Sequence, residues 1–253
     1  MYRDFIIEIY RRGVRLWPIY AVLLAFWAGS YAQTSDLLAD FAKNFDDWLY
    51  LLKQNIYIVL ASGLTATILG VSSGILMTRP KFRRYANVFV QGFNILSAVP
   101  TLAILAIIMT LTGIGFKSAF IGLVTVTILP IVKNTFQGID ETPDYLIEAA
   151  RGQGMTDSQI LWRVQLPNAL YIISAGIRTG FALNVGTSPL ITLIAADSLG
   201  EFIFTGIQLR EFNMLLIGSI SVAFLAVLMD FFLSKCQYWA IPKGVNPQRF
   251  ESN

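Results

Sequence analysis

Long apolar runs separated by polar connections dominate the chain. A helix needs roughly 20 mostly apolar residues to cross the hydrocarbon core of a bilayer, and about six runs approach that length. The pattern predicts an all-α, polytopic transmembrane helical bundle that forms a single domain over residues 1–253. The predicted spans are Leu16–Ala32, Asn55–Thr78, Asn87–Thr112, Ser118–Gln137, Ala169–Ala195 and Phe212–Ser234. The first lacks a small-residue cleavage site, so we expect it to be retained as an anchor.

The segment between the first two runs has a different pattern. Within Gln33–Gln54, leucines and aromatic residues recur at helical spacing among aspartates. We therefore predict an amphipathic helix that lies at the membrane interface.

The basic residues fall unevenly between the runs. Positively charged connections are retained in the cytoplasm, and here they are the two termini and the second and fourth connections. The orientation predicted is a multi-pass membrane protein with both termini and Gly138–Asn168 in the cytoplasm. The basic residues on this side are Arg3, Arg11, Arg12, Arg15, Arg79, Lys81, Arg83, Arg84, Arg151, Arg163, Lys235, Lys243 and Arg249. Those on the other side are Lys43, Lys53, Lys117 and Arg210.

Composition supports a membrane protein and disfavours most enzymes. The chain is 55% hydrophobic and 14% charged, with a mean hydropathy of +0.60. It has no histidine and only one cysteine, Cys236, so the commonest general base and a thiolate metal cluster are both missing. We expect no catalytic residue and no metal site. The net charge of +3 is spread among the apolar runs rather than gathered into a nucleic-acid-binding stripe.

No energy source for transport is visible in the chain. Every acidic residue except Asp230, near the cytoplasmic end of the last predicted span, lies outside the spans, so no carboxylate relay crosses the membrane. Lys133 and Arg178 lie within spans, and we expect both to extend toward the headgroups. A phosphate-binding loop is missing, and Gly113–Ser118 only approximates one. Energy for uphill transport would therefore come from a separate subunit.

Glycine and proline mark special positions in the spans. Gly70 and Gly74 are one helical turn apart and can let another helix approach closely. Pro100 and Pro130 each lack a backbone donor, and we expect each to kink its span.

The fourth connection has the signals of two short helices. Ile139–Gln153 is an amphipathic, helix-favouring stretch with Pro143 in its first turn, and Gly154 can take the left-handed conformation that ends it. Thr156 or Asp157 can then cap a second helix, which Pro167 is expected to stop. A helix, a glycine elbow and a second helix would form a rigid protrusion suited to a groove in another protein.

This connection resembles a signature of the permease family of ATP-binding-cassette importers. The signature is E-A-A-x-x-x-G, then nine residues, then I-x-L-P, with valine replacing isoleucine here. The resemblance implies a type I importer permease of the bacterial inner membrane, whose coupling segment, 138–168, seats in a cleft of the ATPase subunit. The residues expected to couple are Glu148, Ala149, Ala150, Arg151, Gly154, Leu166 and Pro167, and Val164 completes the match.

Three further stretches are similar to the osmoprotectant branch of that family, which imports glycine betaine, choline and carnitine. They are Ala175–Thr179, Asn184–Thr187 and Leu199–Ile207. The resemblance implies partner ATPase subunits that bind ATP and Mg²⁺, an extracytoplasmic solute-binding protein, a second permease copy or homologue, and no cofactor in this chain.

Polar or helix-breaking residues at membrane depth are the candidates for the pathway and its gate. The alternative within transport is an amino-acid or other small organic solute importer of the same architecture. The alternative outside transport is a membrane-embedded enzyme, for which Asp140, Glu141 and Asp144 come closest to an acidic cluster. The pathway candidates are Ser97, Pro100, Thr101, Asn184, Thr187 and Ser188.

Overall fold

The structure is a computed structural model. It describes Gly29 and residues 36–241, with the side chains of Ala86 and Asn87 excepted. The predicted first span, Leu16–Ala32, lies outside the described residues apart from Gly29, as do the terminal basic residues other than Lys235.

Every regular element of the described part is helical, which confirms the all-α prediction. A π-helical segment, Leu161–Gln165, joins α7 to α8, and a 3-10 helix, Ser188–Ile194, follows α8. In chain order the α-helices are α1 Leu37–Lys43, α2 Phe45–Met77, α3 Pro80–Ala98, α4 Thr101–Thr112, α5 Phe116–Asp140, α6 Asp144–Gly152, α7 Asp157–Ile160, α8 Leu166–Thr187, α9 Gly200–Leu209 and α10 Phe212–Ala240.

Three described helices are long and apolar enough to cross a membrane, namely α2, α5 and α10. The pair Val88–Ala98 and Thr101–Thr112 makes a fourth if its two bent halves are one span. With its 33 residues and a rise of about 1.5 Å per residue, α2 is about 50 Å long. It therefore extends beyond a hydrocarbon core of about 30 Å. The chain is thus polytopic, and the count of six spans stays a prediction.

The predicted interfacial helix Gln33–Gln54 is wrong as a single element. It divides at Asn44, whose side-chain amide donates to the carbonyl of Asp40 at 2.8 Å. The second half forms the first turns of α2, where the Trp48 indole donates to Ser221 Oγ of α10 at 2.8 Å. The apolar side of this region therefore packs against α10.

The run Asn87–Thr112 is broken rather than kinked. The helix ends at Ala98, the extended residues Val99 and Pro100 follow, and α3 and α4 meet at 99°. A residue before proline is disfavoured in the helical region, which explains the break. In contrast, Pro130 lies inside the continuous helix α5.

The predicted span Ala169–Ala195 ends its α-helical part at Thr187. Pro189 has no N–H to donate to the carbonyl of Val185, and the Ser188 hydroxyl donates to that carbonyl instead, at 2.9 Å. The chain then tightens into the 3-10 helix.

The last predicted span, Phe212–Ser234, continues as a helix to Ala240. Asp230 is therefore about 15 Å from the end of α10, and its place near the cytoplasmic end of the membrane span stays a prediction.

Small residues place α5 against α2. A Cβ atom on Gly74 would lie 2.5 Å from Thr135 Cβ, and one on Gly70 would lie 2.8 Å from Ile131 Cγ2. No real Cβ could be accommodated there without displacement, so the helices approach closely because these residues are glycines. The close approach predicted from Gly70 and Gly74 is confirmed.

The other side of α5 packs against α8 through the same kind of contact. A Cβ on Gly176 would lie 2.5 Å from Asn134 Cβ, and one on Gly180 would lie 2.9 Å from the Thr127 carbonyl oxygen. As a result α5 is held between α2 and α8, and a displacement of one helix is passed directly to the next.

Candidate functional site: the coupling segment and the cavity at the α3–α4 bend

The coupling segment begins where α5 ends. The predicted helix Ile139–Gln153 is interrupted, because α5 ends at Asp140 and α6 begins only after Pro143. The hydroxyl of Thr142 donates to the carbonyl of Ile139 at 2.9 Å and satisfies one of the last carbonyls of α5. The break lets α6 leave the direction of α5 and project as a separate element.

Gly154 forms the elbow between α6 and α7, as predicted. Its φ is +77°, and its N–H donates to the carbonyl of Arg151 at 2.9 Å. The N–H of Met155 donates to the carbonyl of Ala150 at 3.1 Å. A Cβ on Gly154 would contact nothing within 4 Å, so glycine is required by the backbone conformation and not by lack of space.

Thr156 starts the second helix with a capping box. Its backbone N–H donates to Gln159 Oε1 at 2.8 Å, and the N–H of Gln159 donates to Thr156 Oγ1 at 3.4 Å. Of the two predicted caps, the structure therefore has Thr156. The elbow is closed on both sides by local hydrogen bonds, which makes it a stiff connection.

The expectation that Pro167 stops this helix is wrong. The chain continues from α7 through the π-helical segment into α8, and Pro167 lies in the first turn of α8. Proline removes one hydrogen bond of a continuous helix, and the wider π turn directly before it accommodates that loss. The coupling segment is therefore connected to α8 by unbroken helix.

An apolar cluster anchors the coupling segment to the membrane helices. Leu161 packs with Ile139 of α5 and with Ala169 and Ile173 of α8, and all four are buried. Leu166 is partly buried against the same cluster. Movement of the segment would thus be transmitted to both α5 and α8.

The signature residues divide between two faces of α6. Glu148, Ala149 and Arg151 are exposed, whereas Ala150 is only 4% exposed. Ala150 holds the helix against the protein, and the other three are available to a partner. Arg151 also approaches Asp157 across the elbow at 3.7 Å, although both side chains are too exposed for this ion pair to contribute much.

Two exposed aromatic residues of the coupling segment escaped the sequence analysis. Tyr145 on α6 is 69% exposed and Trp162 in the π-helical segment is 63% exposed. Aromatic side chains are enriched at protein interfaces, and both lie in a segment predicted to be outside the bilayer. The available signal was the presence of large aromatics in an otherwise polar connection.

The loop between α2 and α3 lies beside the coupling segment. Burial lowers the pKa of the Arg79 guanidinium, and the negative charge of Asp157 opposes that effect. Farther along α3, Arg83 pairs with Asp140 at the end of α5, at 2.7 Å. These charges link α3 to the base of the coupling segment.

A cavity of about 370 Å³ opens where α3 and α4 bend, with α5 as its opposite wall. Ser97 and Thr101, two of the predicted pathway residues, line it together with Asn134 and Lys133. Pro100 lies at the bend itself and is exposed. The break at this proline thus shapes the cavity.

The other predicted pathway residues do not line this cavity. Asn184 and Ser188 are fully buried between α8 and α2, where Asn184 Nδ2 donates to Ser62 Oγ at 2.9 Å and Ser188 Oγ donates to Asn55 Oδ1 at 3.1 Å. Thr187 is partly buried and donates to the Leu183 carbonyl at 2.8 Å. The structure therefore separates the six residues into a cavity group and a helix-contact group.

The two cations within predicted spans have protein partners. Lys133 Nζ donates to Asn94 Oδ1 of α3 at 3.2 Å. The guanidinium of Arg178 binds Asp230 of α10 at 2.8 Å. Carboxylates bind guanidinium groups through strong, charge-assisted hydrogen bonds, and the extension of both cations toward the headgroups stays a prediction.

Residues 66–239 match the family described as the binding-protein-dependent transport system inner membrane component. The chain belongs to this family. It is the membrane-spanning permease subunit of an ATP-binding-cassette importer, with ATP bound by partner ATPase subunits and solute brought by a binding protein. The match covers the coupling segment and the cavity, and it confirms the transport interpretation over the enzyme alternative.

Curated relatives extend the likeness along most of this permease. It is 43% identical over 188 residues to the osmoprotectant import permease protein OsmY of Salmonella typhimurium, covering 74% of this chain and 80% of the relative. It is 36% identical to the carnitine transport permease protein OpuCB of Listeria monocytogenes, covering 83% and 95%. These relatives confirm the resemblance to the osmoprotectant branch.

Solved structures show the same fold. The permease matches the inward-facing MetNI methionine ABC transporter with a TM-score of 0.65 at 22% identity, covering 77% of this chain and 95% of that one. An amino acid ABC transporter crystallised with histidines matches with a TM-score of 0.62 at 15% identity, covering 79% and 95%. At these identities the likeness concerns the fold alone.

Proposed function

We propose that this permease imports a quaternary-ammonium osmoprotectant such as glycine betaine or choline, delivered from outside by a solute-binding protein. The observation that carries the proposal is the 43% identity to an osmoprotectant import permease over 74% of the chain. A relative of Bacillus subtilis named as a glycine betaine/carnitine/choline permease is 33% identical over 80% of the chain. The methionine and amino-acid transporters share the fold at lower identity, so they do not favour an amino-acid solute.

The partner ATPase subunits would dock on the exposed face of the coupling segment. Three of the exposed residues on its helix α6 are Glu148, Ala149 and Arg151. The exposed aromatic side chains of Tyr145 and Trp162 add large apolar surfaces for contact. Buried aromatic side chains contribute much of the binding energy at protein interfaces. The contact with the ATPase is therefore expected to centre on these residues.

When the ATPase subunits close, the elbow would transmit their movement to the membrane helices. The capping box and Gly154 hold α6 and α7 in one geometry, and Leu161 and Leu166 pack the segment onto α5 and α8. The segment continues into α8 without a break at Pro167. A rigid-body switch of this kind would alternately open the pathway to each side.

The pathway would run between this permease and a second copy or a homologue. Ser97 and Thr101 line the open cavity at the α3–α4 bend and Pro100 lies at the bend itself, which supports their place on the path. Asn184, Thr187 and Ser188 lie where α8 gives way to the 3-10 helix, and would act on the gate by positioning that end of α8. The distribution of basic residues supports an orientation with both termini in the cytoplasm.

The test is solute uptake by the complete transporter in proteoliposomes, with its ATPase, its binding protein and ATP. Radiolabelled glycine betaine, choline and methionine are compared. We expect ATP-dependent uptake of at least one of the first two and none of methionine. If ATP hydrolysis is stimulated by the binding protein but neither quaternary ammonium compound accumulates, the osmoprotectant assignment is rejected.

A further inference from the structure

The cavity at the α3–α4 bend carries a positive charge. Among the described residues that line it, Lys133 of α5 is the one charged side chain. The others include the polar groups of Ser97, Thr101 and Asn134 and the apolar side chain of Phe93. The site thus combines one cation, several hydrogen-bonding groups and an apolar wall.

The charge of Lys133 is not neutralised by the protein. Its Nζ donates to the neutral Asn94 Oδ1 at 3.2 Å, and no carboxylate within the described residues lies at ion-pair distance. An ammonium group has three donors, and Asn94 accepts from one. Two donors remain for a ligand.

The carboxylates that end α5 are bound elsewhere. Asp140 pairs with Arg83 of α3 at 2.7 Å. Glu141 accepts a hydrogen bond from the side chain of Gln137 at 2.7 Å. Neither is therefore held as the partner of Lys133.

Arg178 shows how this protein pairs a cation that joins two helices. Its guanidinium binds both carboxylate oxygens of Asp230 and also Gln237. Lys133 is exposed and has no such pairing among the described residues, and an unpaired charge in a membrane protein is tolerated where it faces water or a ligand. The difference indicates that the ammonium group of Lys133 is available to the cavity.

We propose that Lys133 binds the carboxylate of a zwitterionic solute in this cavity. The permease would thereby favour solutes with a carboxylate beside the quaternary ammonium group over solutes with the ammonium group alone. This deepens the proposed function and rests on it. A carboxylate forms charge-assisted hydrogen bonds with an ammonium group, whereas a solute with only positive charge is repelled by it.

The dimensions of the cavity agree with a small solute. Its volume of about 370 Å³ lies at the lower end of ligand pockets, which measure roughly 300–1,000 Å³. Ser97 and Thr101 lie on the wall formed by α3 and α4, opposite Lys133 on α5. A solute bound by its carboxylate at Lys133 would thus span the two walls that the α3–α4 bend holds apart.

The experiment compares glycine betaine with choline as solutes for the complete transporter in proteoliposomes. In Lys133→Gln we expect glycine betaine uptake to fall about tenfold or more, while choline uptake is unchanged or higher. All variants use the same binding protein with the same solute affinity. A change in the ratio of glycine betaine uptake to choline uptake therefore originates in the permease. Lys235→Gln, which removes an exposed lysine of α10 outside the cavity, is the matched control and should leave the ratio unchanged.

A second variant separates recognition from packing. Asn94→Asp places a carboxylate where the amide oxygen now accepts from Lys133, and it keeps the α3–α5 contact. We expect it to neutralise Lys133 and to reduce glycine betaine uptake as Lys133→Gln does. If Asn94→Asp behaves like the wild type, or if both solutes decline in parallel in Lys133→Gln, the proposal is overturned.

Direct binding distinguishes this proposal from the broader function. The thermal stability of the purified permease–ATPase complex, without binding protein, is measured with glycine betaine and with choline. Stabilisation of the wild type by glycine betaine, absent in Lys133→Gln, supports the carboxylate site even if no uptake is found and the osmoprotectant assignment is rejected. If glycine betaine does not stabilise the wild type and Lys133→Gln leaves the ratio of glycine betaine uptake to choline uptake unchanged, the carboxylate site is rejected. The proposed osmoprotectant import is not affected by that result.

Discussion

Arg178 of α8 and Asp230 of α10 form a forked ion pair. Nε and Nη2 donate to Oδ1 at 3.0 and 2.8 Å, and Nη2 also reaches Oδ2 at 3.0 Å. Nη1 donates to Gln237 Oε1 at 3.1 Å, about two turns farther along α10. The planar guanidinium thus joins α8, the helix that continues from the coupling segment, to α10.

Breaking this ion pair should destabilise the permease. Asp230→Asn leaves the fork of Arg178 without its carboxylate, and Arg178→Lys replaces the fork with a single ammonium group. We expect each to lower the free energy of unfolding by about 1–3 kcal/mol, because a hydrogen-bonded group loses a charged partner. Thermal unfolding in detergent measures the effect.

The double variant tests whether the two residues act together. The double variant combines Arg178→Lys with Asp230→Asn. If the ion pair is the cause, its loss of unfolding free energy is smaller than the sum of the losses in the two single variants. Additive losses would show that each residue acts through different neighbours.

The elbow should depend on the left-handed backbone of Gly154. Gly154→Val puts a β-branched residue at a φ of +77°, which costs at least about 1–2 kcal/mol. We expect binding-protein-dependent uptake to fall about tenfold, since α6 can no longer keep its angle to α7. The same substitution at exposed Gly152, which ends α6 without a positive φ, is the control and should retain most uptake. Equal uptake by the two variants would contradict this role.

The exposed aromatics of the coupling segment should govern association with the ATPase. Removing Tyr145 or Trp162 with alanine is expected to weaken the complex by about 2 kcal/mol or more, roughly a 30-fold change in affinity. Co-purification and titration of the ATPase onto permease in nanodiscs provide the measurement. Trp239→Ala removes a tryptophan that is 78% exposed at the end of α10, outside the coupling segment, and should leave affinity unchanged. A similar loss in all three variants would argue against a specific docking face.

The α2–α5 contact should not tolerate even a methyl group. Gly74→Ala would place its Cβ 2.5 Å from Thr135, so α2 and α5 must separate, and we expect a loss of about 1–3 kcal/mol in stability. Gly92→Ala adds the same methyl group to exposed α3, where nothing lies within 4 Å, and should be neutral or stabilising. Thermal unfolding of the two variants compares them directly.

Local backbone chemistry in the coupling segment was predictable from sequence. A left-handed glycine and a helix cap depend on residues within a few positions of each other, so Gly154 was predicted and Thr156 was one of two predicted caps. The continuation of the helix through Pro167 was not predicted from sequence. The π turn that accommodates this proline includes Leu161, which packs into the cluster with α5 and α8.

The apolar runs of the chain by themselves determined a polytopic all-helical membrane protein, because a bilayer requires long apolar segments with internally satisfied backbones. The signature from Glu148 to Pro167 determined the family. The tertiary structure decided which side chains meet. It separated Ser97 and Thr101 from Asn184 and Ser188, paired Arg178 with Asp230, and left Lys133 charged in a cavity. Such long-range contacts depend on how α2, α5, α8 and α10 pack, which no periodicity within one helix specifies.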